Sequence, residues 1–523
     1  MKNNFKGLSL MSLVFVMLTN LVYAQTDSTE VASIYGFYSY SSSLMNASGA
    51  SELTTQGNAS HTSTGVQLTP ANSGQFGGLF INGRTFTSVN GLHVEFEYDM
   101  KNGTPFNGTY GDGLSFFLYD GAVTNPTIGA PGAGIGYSYN RTKDQFAPQR
   151  KAGLSGAYLG IALDEFGNFK SKRFQGDSRV NGIQGVTWSQ GTSHVTLRGA
   201  IGANISSSTG LGLGYTGYPV LATRSTLSNS GTVGRILQAD RSYLATSNLL
   251  TSVFDLRNNA GEFRKVYLDL IPHFTSPTTT DGFDIKVDIQ TTQAGTPVNV
   301  INYYHYKTSV PYTENANPQI SDFNNSDIEG TATNQTLNAT VPAVLKLGFA
   351  ASTGAAFQQH IIRNVKLTLP YAAVANNDVT STCKFQPVTI PVFSNDIAYN
   401  GPISITTPPT ASNTNIDYST FSFTKSSDTD LTLYRKKVTP QGTWTYNKST
   451  GIVTFNPSSG FTGTATMTYT IKGKTVKDSS GKIIEPYGDT AYRSTPATIT
   501  VNLKTSGCIY SVVSNKMVTQ GVK

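Results

Sequence analysis

The chain reads as an all-β protein made of two antiparallel sandwiches, the first of jelly-roll type. Period-two alternation is the main observation. In "GLHVEFEYDM" Leu92, Val94, Phe96, Tyr98 and Met100 alternate with His93, Glu95, Glu97 and Asp99; in "GFDIKVDIQ" Phe283, Ile285, Val287 and Ile289 alternate with Asp284, Lys286, Asp288 and Gln290. Alternation of this kind gives strands with one face to a core and one to water. The composition agrees, with 51 Gly, 27 Tyr and 27 Phe in 523 residues and only 13% charged residues. Long stretches of helical spacing are missing.

The elements follow in order. Residues 1–24 read as a secretory signal peptide: Lys2 and Lys6, a short apolar core, and small residues before Gln25. Its removal leaves 523 − 24 = 499 residues, expected to be exported. No later run approaches the roughly 20 apolar residues of a membrane span. "AYLGIALDEF", "RKVYLDLIPHF", "AVLKLGFAAS" and "IIRNVKLTLP" extend the strand series, and all of 25–370 is expected to form one unit. Two polar stretches, at about 200–260 and 308–340, read as long loops or insertions. "GLGLGYTG" at 210–217 reads as a flexible loop, because no helix pattern follows it.

After "LTLP" at 367–370 the texture changes. Residues 371–505 carry a turn signal every eight to ten residues and read as a smaller sandwich, with 506–523 as a tail. Cys383 and Cys508 are the only cysteines, and in an exported chain they are expected to pair. The net charge of +7 is spread thinly, with no basic cluster beyond "RKK" at 435–437, so nucleic acid is not an expected partner.

"GDGLSFFLYDG" (111–121) raises the functional question, since an Asp between two glycines at the mouth of an apolar strand does no packing. On local grounds Asp-Gly is a turn pair. Four segments in order shift the reading: "GNASHTSTGVQLTPANSGQFGGLF" (57–80), "GDGLSFFLYDG", "YLGIALDEFGNF" (158–169) and "VPAVLKLGFAASTGAAFQQHIIRNVKLTLP" (341–370). Together they resemble the L-type lectins, a family that includes the legume lectins and has bacterial surface members. The resemblance covers about 30–370 and implies a concanavalin-A-like fold. The C-terminal unit resembles the cadherin-like or fibril-type repeats of bacterial adhesins, through "PVTIPVFSND", "GTWTYN" and "VTFNPSSGFTGTATMTYTI".

The resemblance implies a secreted or surface carbohydrate-binding protein, not an enzyme, with glycans or polysaccharide as partner. Asp112 would accept two sugar hydroxyls, as an acceptor-only carboxylate can, following a cis peptide; Gly111 precedes it where legume proteins usually have Ala. Gly113 would keep the backbone clear of the sugar. Asn168 would donate its amide N–H to the sugar. Backbone amides at Gly354 and Ala355, and at Gly132 in "GAPGAGIG", would complete the pocket. Asp164, the Phe166 carbonyl and Asn168 would share one calcium ion, through the hard oxygens calcium prefers. Ala162 and Arg173 stand where the family has acids, so no transition metal is expected there, and Asp177 is the candidate substitute ligand for calcium.

Two other functions compete. Glu95, Glu97 and Asp99 lie at i, i+2, i+4 on one strand, as the carboxylates of glycoside hydrolases of this architecture do, although their order differs and a solvated strand face accounts for them. A purely structural surface protein is the third reading, and the missing metal ligands are its best support. His93 and His194 read as ordinary strand residues. Trp188 and Trp444 read as core.

Overall fold

The computed structural model describes residues 38–40, 52–88, 91–139, 151–170, 178–179, 192–202, 217–231, 234–238, 243–244, 248–258, 261–276, 279–315, 332–400, 410–424, 433–474, 493–506 and 508. Among these the chain is nearly all β, with short 3-10 turns such as Gly132–Gly134 and Val392–Ser394. The N-terminal 24 residues, residues 203–216, Arg173, Asp177 and Trp188 lie outside the described residues.

The first sandwich packs two eight-stranded sheets. The back sheet runs Val298–Lys307, Thr279–Gln290, Lys265–Ser276, Leu92–Thr104, Phe357–Thr368, Gly65–Thr69 and Ser60–Thr62, with Tyr38–Tyr40 also paired to Phe357–Thr368. The front sheet runs Leu237–Gln238, Val220–Ser225, His194–Arg198, Ala157–Asp164, Gly113–Asp120, Val344–Ser352, Phe76–Thr87 and Leu53–Gly57. The alternation seen in the sequence selects the faces. Val94, Phe96 and Tyr98 of the back sheet meet Leu114, Phe116 and Leu118 of the front sheet in one buried core. Phe349 stands between them, edge-on to Phe96 and Phe116.

The strand Gly113–Asp120 is buried on both faces. Its other residues, Phe117 and Tyr119, join Phe80, Tyr137, Tyr139 and Tyr218 in a second apolar cluster on the outer side of the front sheet. Burial of both faces explains why this strand is apolar throughout.

The two polar stretches read as loops hold strands. Val220–Ser225 belongs to the front sheet, and Ser309–Asn315 pairs with Ala332–Asn338 and Ser178–Arg179 in a separate three-stranded sheet. Every residue of "VLATRS" is buried, as are Val310, Tyr312 and Leu337. Here a few apolar residues fix strands whose overall composition is polar. Burial, not composition, decides them.

A second pair of sheets follows. One runs Asp378–Cys383, Ala497–Lys504, Gly463–Gly473 and Ile416–Phe423; the other runs Val388–Ile390, Ile452–Pro457, Gly442–Asn447 and Lys436–Thr439. Their core, built on Trp444, Phe455, Phe421 and Tyr469, shares no residue with that of the first sandwich. One pair departs from the antiparallel expectation: Asp378–Cys383 runs parallel to Ala497–Lys504. Cys383 and Cys508 form a disulfide beside this pair.

A buried acidic pair marks this second core. The Tyr469 hydroxyl lies 3.0 Å from Asp378 Oδ2 and 2.9 Å from Asp396 Oδ2. One hydroxyl proton serves one carboxylate at a time. Burial pushes Asp396 up to about 7 and Asp378 up to about 6, against the bonds they accept. A carboxyl whose pKa is raised on folding holds its proton more tightly when folded. Its stabilising contribution is therefore present at low pH and is lost as pH rises through the folded value. Asp396→Asn mimics the protonated acid, so its melting temperature relative to wild type should rise between pH 5 and pH 8, followed by Trp444 fluorescence. A difference that stays flat over that interval would refute the assignment.

Candidate functional site

The site grows from one register. In the front sheet Gly113 pairs with Asp164, so the chain entering one strand lies beside the chain leaving its neighbour. Gly113 has φ +148°, and a Cβ there would lie 2.2 Å from the Leu163 carbonyl oxygen. Only glycine fits so close a backbone approach. Its missing side chain makes room for the neighbouring strand.

Three loops are then tied together. The Gly111–Asp112 peptide is cis. The Asp112 N–H donates to the Ser352 carbonyl at 2.7 Å, and the Phe166 N–H donates to the Asp112 carbonyl at 2.9 Å. A Cβ at Gly111 would lie 3.1 Å from the Phe166 ring, so the glycine leaves that ring its place. These bonds bring together residues 56 apart: Asn168 Nδ2 donates to Asp112 Oδ1 at 3.2 Å. Asp112 Oδ2 and Asn168 Oδ1 are buried and have no hydrogen-bond partner. Burial pushes the Asp112 carboxyl up to about 6, and the Asn168 bond opposes the shift.

Asp112 and Asn168 line a cavity of about 670 Å³ with Phe166, Gly354 and Ala355. Gly354 donates its own N–H to the Ala356 carbonyl at 3.0 Å, and Ala355 beside it is exposed. The Gly132 N–H donates to Ser352 Oγ at 2.7 Å, which ties its turn to the 352 loop. Phe106, Asn107, Thr109, Thr192 and Ala356 also line the cavity, and none was singled out from the sequence. Phe106 is 49% exposed, an aromatic ring left at the rim. The one sequence signal was the turn "FNG", where Asn107 and Gly108 both have positive φ. Behind this turn the Arg257 guanidinium lies over the Tyr110 ring and bonds Gln358 Oε1.

Calcium would require hard oxygens from the loop 164–170. Asn168 Oδ1, buried and unpartnered, fits a cation. Asp164 does not offer itself so freely: Oδ1 accepts the Gly167 N–H at 2.8 Å and Oδ2 the Lys170 N–H at 3.2 Å. Lys170 is buried, and its ammonium donates to the Gly167 carbonyl at 2.9 Å. Burial pulls this ammonium down to about 8, and the Asp164 charge opposes the fall. The loop thus already contains a cation of its own, which a calcium ion would have to meet. Sequence reading also missed Glu165, whose buried Oε2 has no hydrogen-bond partner and whose carboxyl is pushed well up by burial and by Asp255.

The alternative acidic set lies on the outer face of the back sheet. Asp99 accepts both Arg363 guanidinium nitrogens and Lys101; Glu97 pairs with Arg363; Glu95 pairs with Lys265 and with His93. The face is therefore an ion-pair ladder and not the freely solvated surface expected, with Asp99 only 4% exposed. Burial would raise Glu95 and Asp99, but these cations outweigh it and hold both well below the carboxylate range. Such groups carry no proton to give a leaving group near neutral pH. His93 bonds Asp269, His194 bonds the Thr192 carbonyl, and Trp444 is core.

No protein-family model matches the chain, and no curated protein matches it. Solved structures do. The VIP36 exoplasmic/lumenal domain in a Ca2+/Man-bound form is 13% identical, with 61% of this chain and 83% of that chain covered and a TM-score of 0.32. Peanut lectin with a 9mer peptide is 15% identical, covering 65% and 98%, at a TM-score of 0.32. A lectin from Bauhinia forficata in complex with GalNAc is 10% identical, covering 64% and 96%, at 0.30. At these values the likeness adds nothing to what the sheets and the site themselves establish.

Proposed function

We propose that this chain is a secreted or surface carbohydrate-binding protein, with residues 25–370 as the binding unit and 371–505 as a spacer. The observation that carries the reading is the Asp112–Asn168 pair, an acceptor-only carboxylate bonded to an amide at a cavity wall, with one oxygen of each left unpartnered. Buried acceptors without partners are costly, and donors that satisfy them bind. Adjacent sugar hydroxyls supply two O–H donors at the spacing of one carboxylate. Phe106 adds an apolar platform for the C–H face of a ring. Binding is favoured over hydrolysis because neighbouring cations hold Glu95 and Asp99 ionised, and Glu97 is paired with Arg363.

Asp112→Ala should reduce glycan affinity about 10- to 100-fold, the cost of one charged hydrogen-bonding group, on an array of immobilised glycans with the melting temperature unchanged. Phe106→Ala should weaken binding about tenfold, as loss of one aromatic contact does. Binding of every glycan at wild-type strength by the Asp112 variant would refute the site.

In the same reading Asp164, the Phe166 carbonyl and Asn168 would hold calcium. Lys170 competes for that loop, so calcium binding is weak. Lys170→Met should tighten it at least about tenfold by removing one buried positive charge, measured by calorimetry with calcium chloride. Equal affinity in both proteins would show that the ammonium does not oppose the ion.

A further inference from the structure

The back sheet carries a second constellation far from the cavity. Asp284 and His305 are cross-strand partners in the strands Thr279–Gln290 and Val298–Lys307. His273 comes from the next strand, at an irregularity between Pro272 and Phe274 that shifts the register against Thr279–Gln290. A bulge re-aims a side chain, and His273 joins the other two: its Nδ1 lies 2.8 Å from Asp284 Oδ2. The two imidazoles stack with centroids 3.8 Å apart and planes at 17°. One ligand atom from each of His273, Asp284 and His305 lies within 4.8 Å of the others.

Two features separate this group from an ordinary ion-pair cluster. Asp284 is 2% exposed, and its Oδ1 is buried with no hydrogen-bond partner. His305 Nε2 meets Asp281 Oδ1 at 3.0 Å, the outer carboxylate contact that orients a ligating imidazole and leaves its other nitrogen for a metal. We propose that His273, Asp284 and His305 bind a divalent transition ion of the zinc class, with Asp281 orienting His305. Two imidazoles and a carboxylate match zinc, at bond lengths of about 2.0–2.2 Å, and offer too few oxygens for calcium.

The position sets the consequence. Leu270 pairs with Leu92, at the start of the strand whose other end, Thr104, leads to Phe106. A 13-residue strand spans about 40 Å, so the proposed ion and the glycan cavity sit at opposite ends of the sandwich. An ion there would clamp three strands of the back sheet and would not touch the sugar. Ala162 lies in the front sheet, a different sheet from these three residues.

The test uses the full chain, expressed without a histidine tag and stripped with chelator. Zinc chloride should bind at one ion per chain by calorimetry and elemental analysis, and should raise the melting temperature; calcium chloride should not compete. His273→Ala and His305→Ala should each weaken zinc binding at least 100-fold, Asp284→Asn and Asp281→Asn at least tenfold. Asp112→Ala should bind zinc as wild type does, which keeps this site distinct from the glycan reading. The conservative His305→Gln variant, checked for an unchanged fold by circular dichroism without metal, guards against misfolding. Absence of stoichiometric zinc, or uptake that survives the His273→Ala/His305→Ala double variant, would overturn the proposal and leave the group as ion pairs.

Discussion

The pairing of Gly113 with Asp164 is the constraint on which the site depends. It forces two strands so close that no side chain fits at 113, and it sets the entry of one beside the exit of the other. Slipping the register by one residue would exchange the two faces of Gly113–Asp120. Leu114, Phe116 and Leu118 would leave the main core, and Phe117 and Tyr119 would leave the tyrosine-rich cluster outside the sheet. Because both faces are buried, both oppose the slip. The position of Asp112 against Asn168 is thus held by packing on either side of the sheet, well away from the polar groups themselves.

Much of this was legible in the sequence. Strands such as Leu92–Thr104 carry their faces openly in alternation, and the resemblance carried by "LDEFGNF" singled out Asp164 and Asn168. What stayed hidden has a common physical cause. Val220–Ser225 looks polar because Arg224 is in it, yet Arg224 is buried, its guanidinium bonded to the carbonyls of Gly234, Asn248 and Val300. The sequence does not say which neighbour the missing side chain of Gly113 avoids; the structure shows it to be the Leu163 carbonyl. His273 and His305 are 305 − 273 = 32 residues apart with no motif between them; a register shift in one strand brings them together. Pairing and bulges convert distant residues into neighbours, and neither is written in local composition.

The loops are held by cations set against main-chain oxygens. Arg198, buried at the end of the front-sheet strand His194–Arg198, donates through Nε and one terminal nitrogen to the Phe169 carbonyl and through the other to the Tyr218 carbonyl. Its guanidinium also lies against the Phe169 ring, 4.9 Å from the centroid. Lys170 meets the Gly167 carbonyl from within the next residue's turn. A guanidinium suits such work because its fork reaches several acceptors in one plane while remaining charged.

These contacts bear on how Asn168 is aimed. The residue lies between Gly167, bonded through both its N–H and its carbonyl, and Phe169, whose carbonyl Arg198 holds. With the backbone fixed on either side, the direction of the Asn168 side chain is set by the loop itself. Its amide meets Asp112 in that preset geometry, so ordering entropy is not charged against ligand binding. Divalent metal, where it binds, then acts on a loop whose shape the protein's own cations already define.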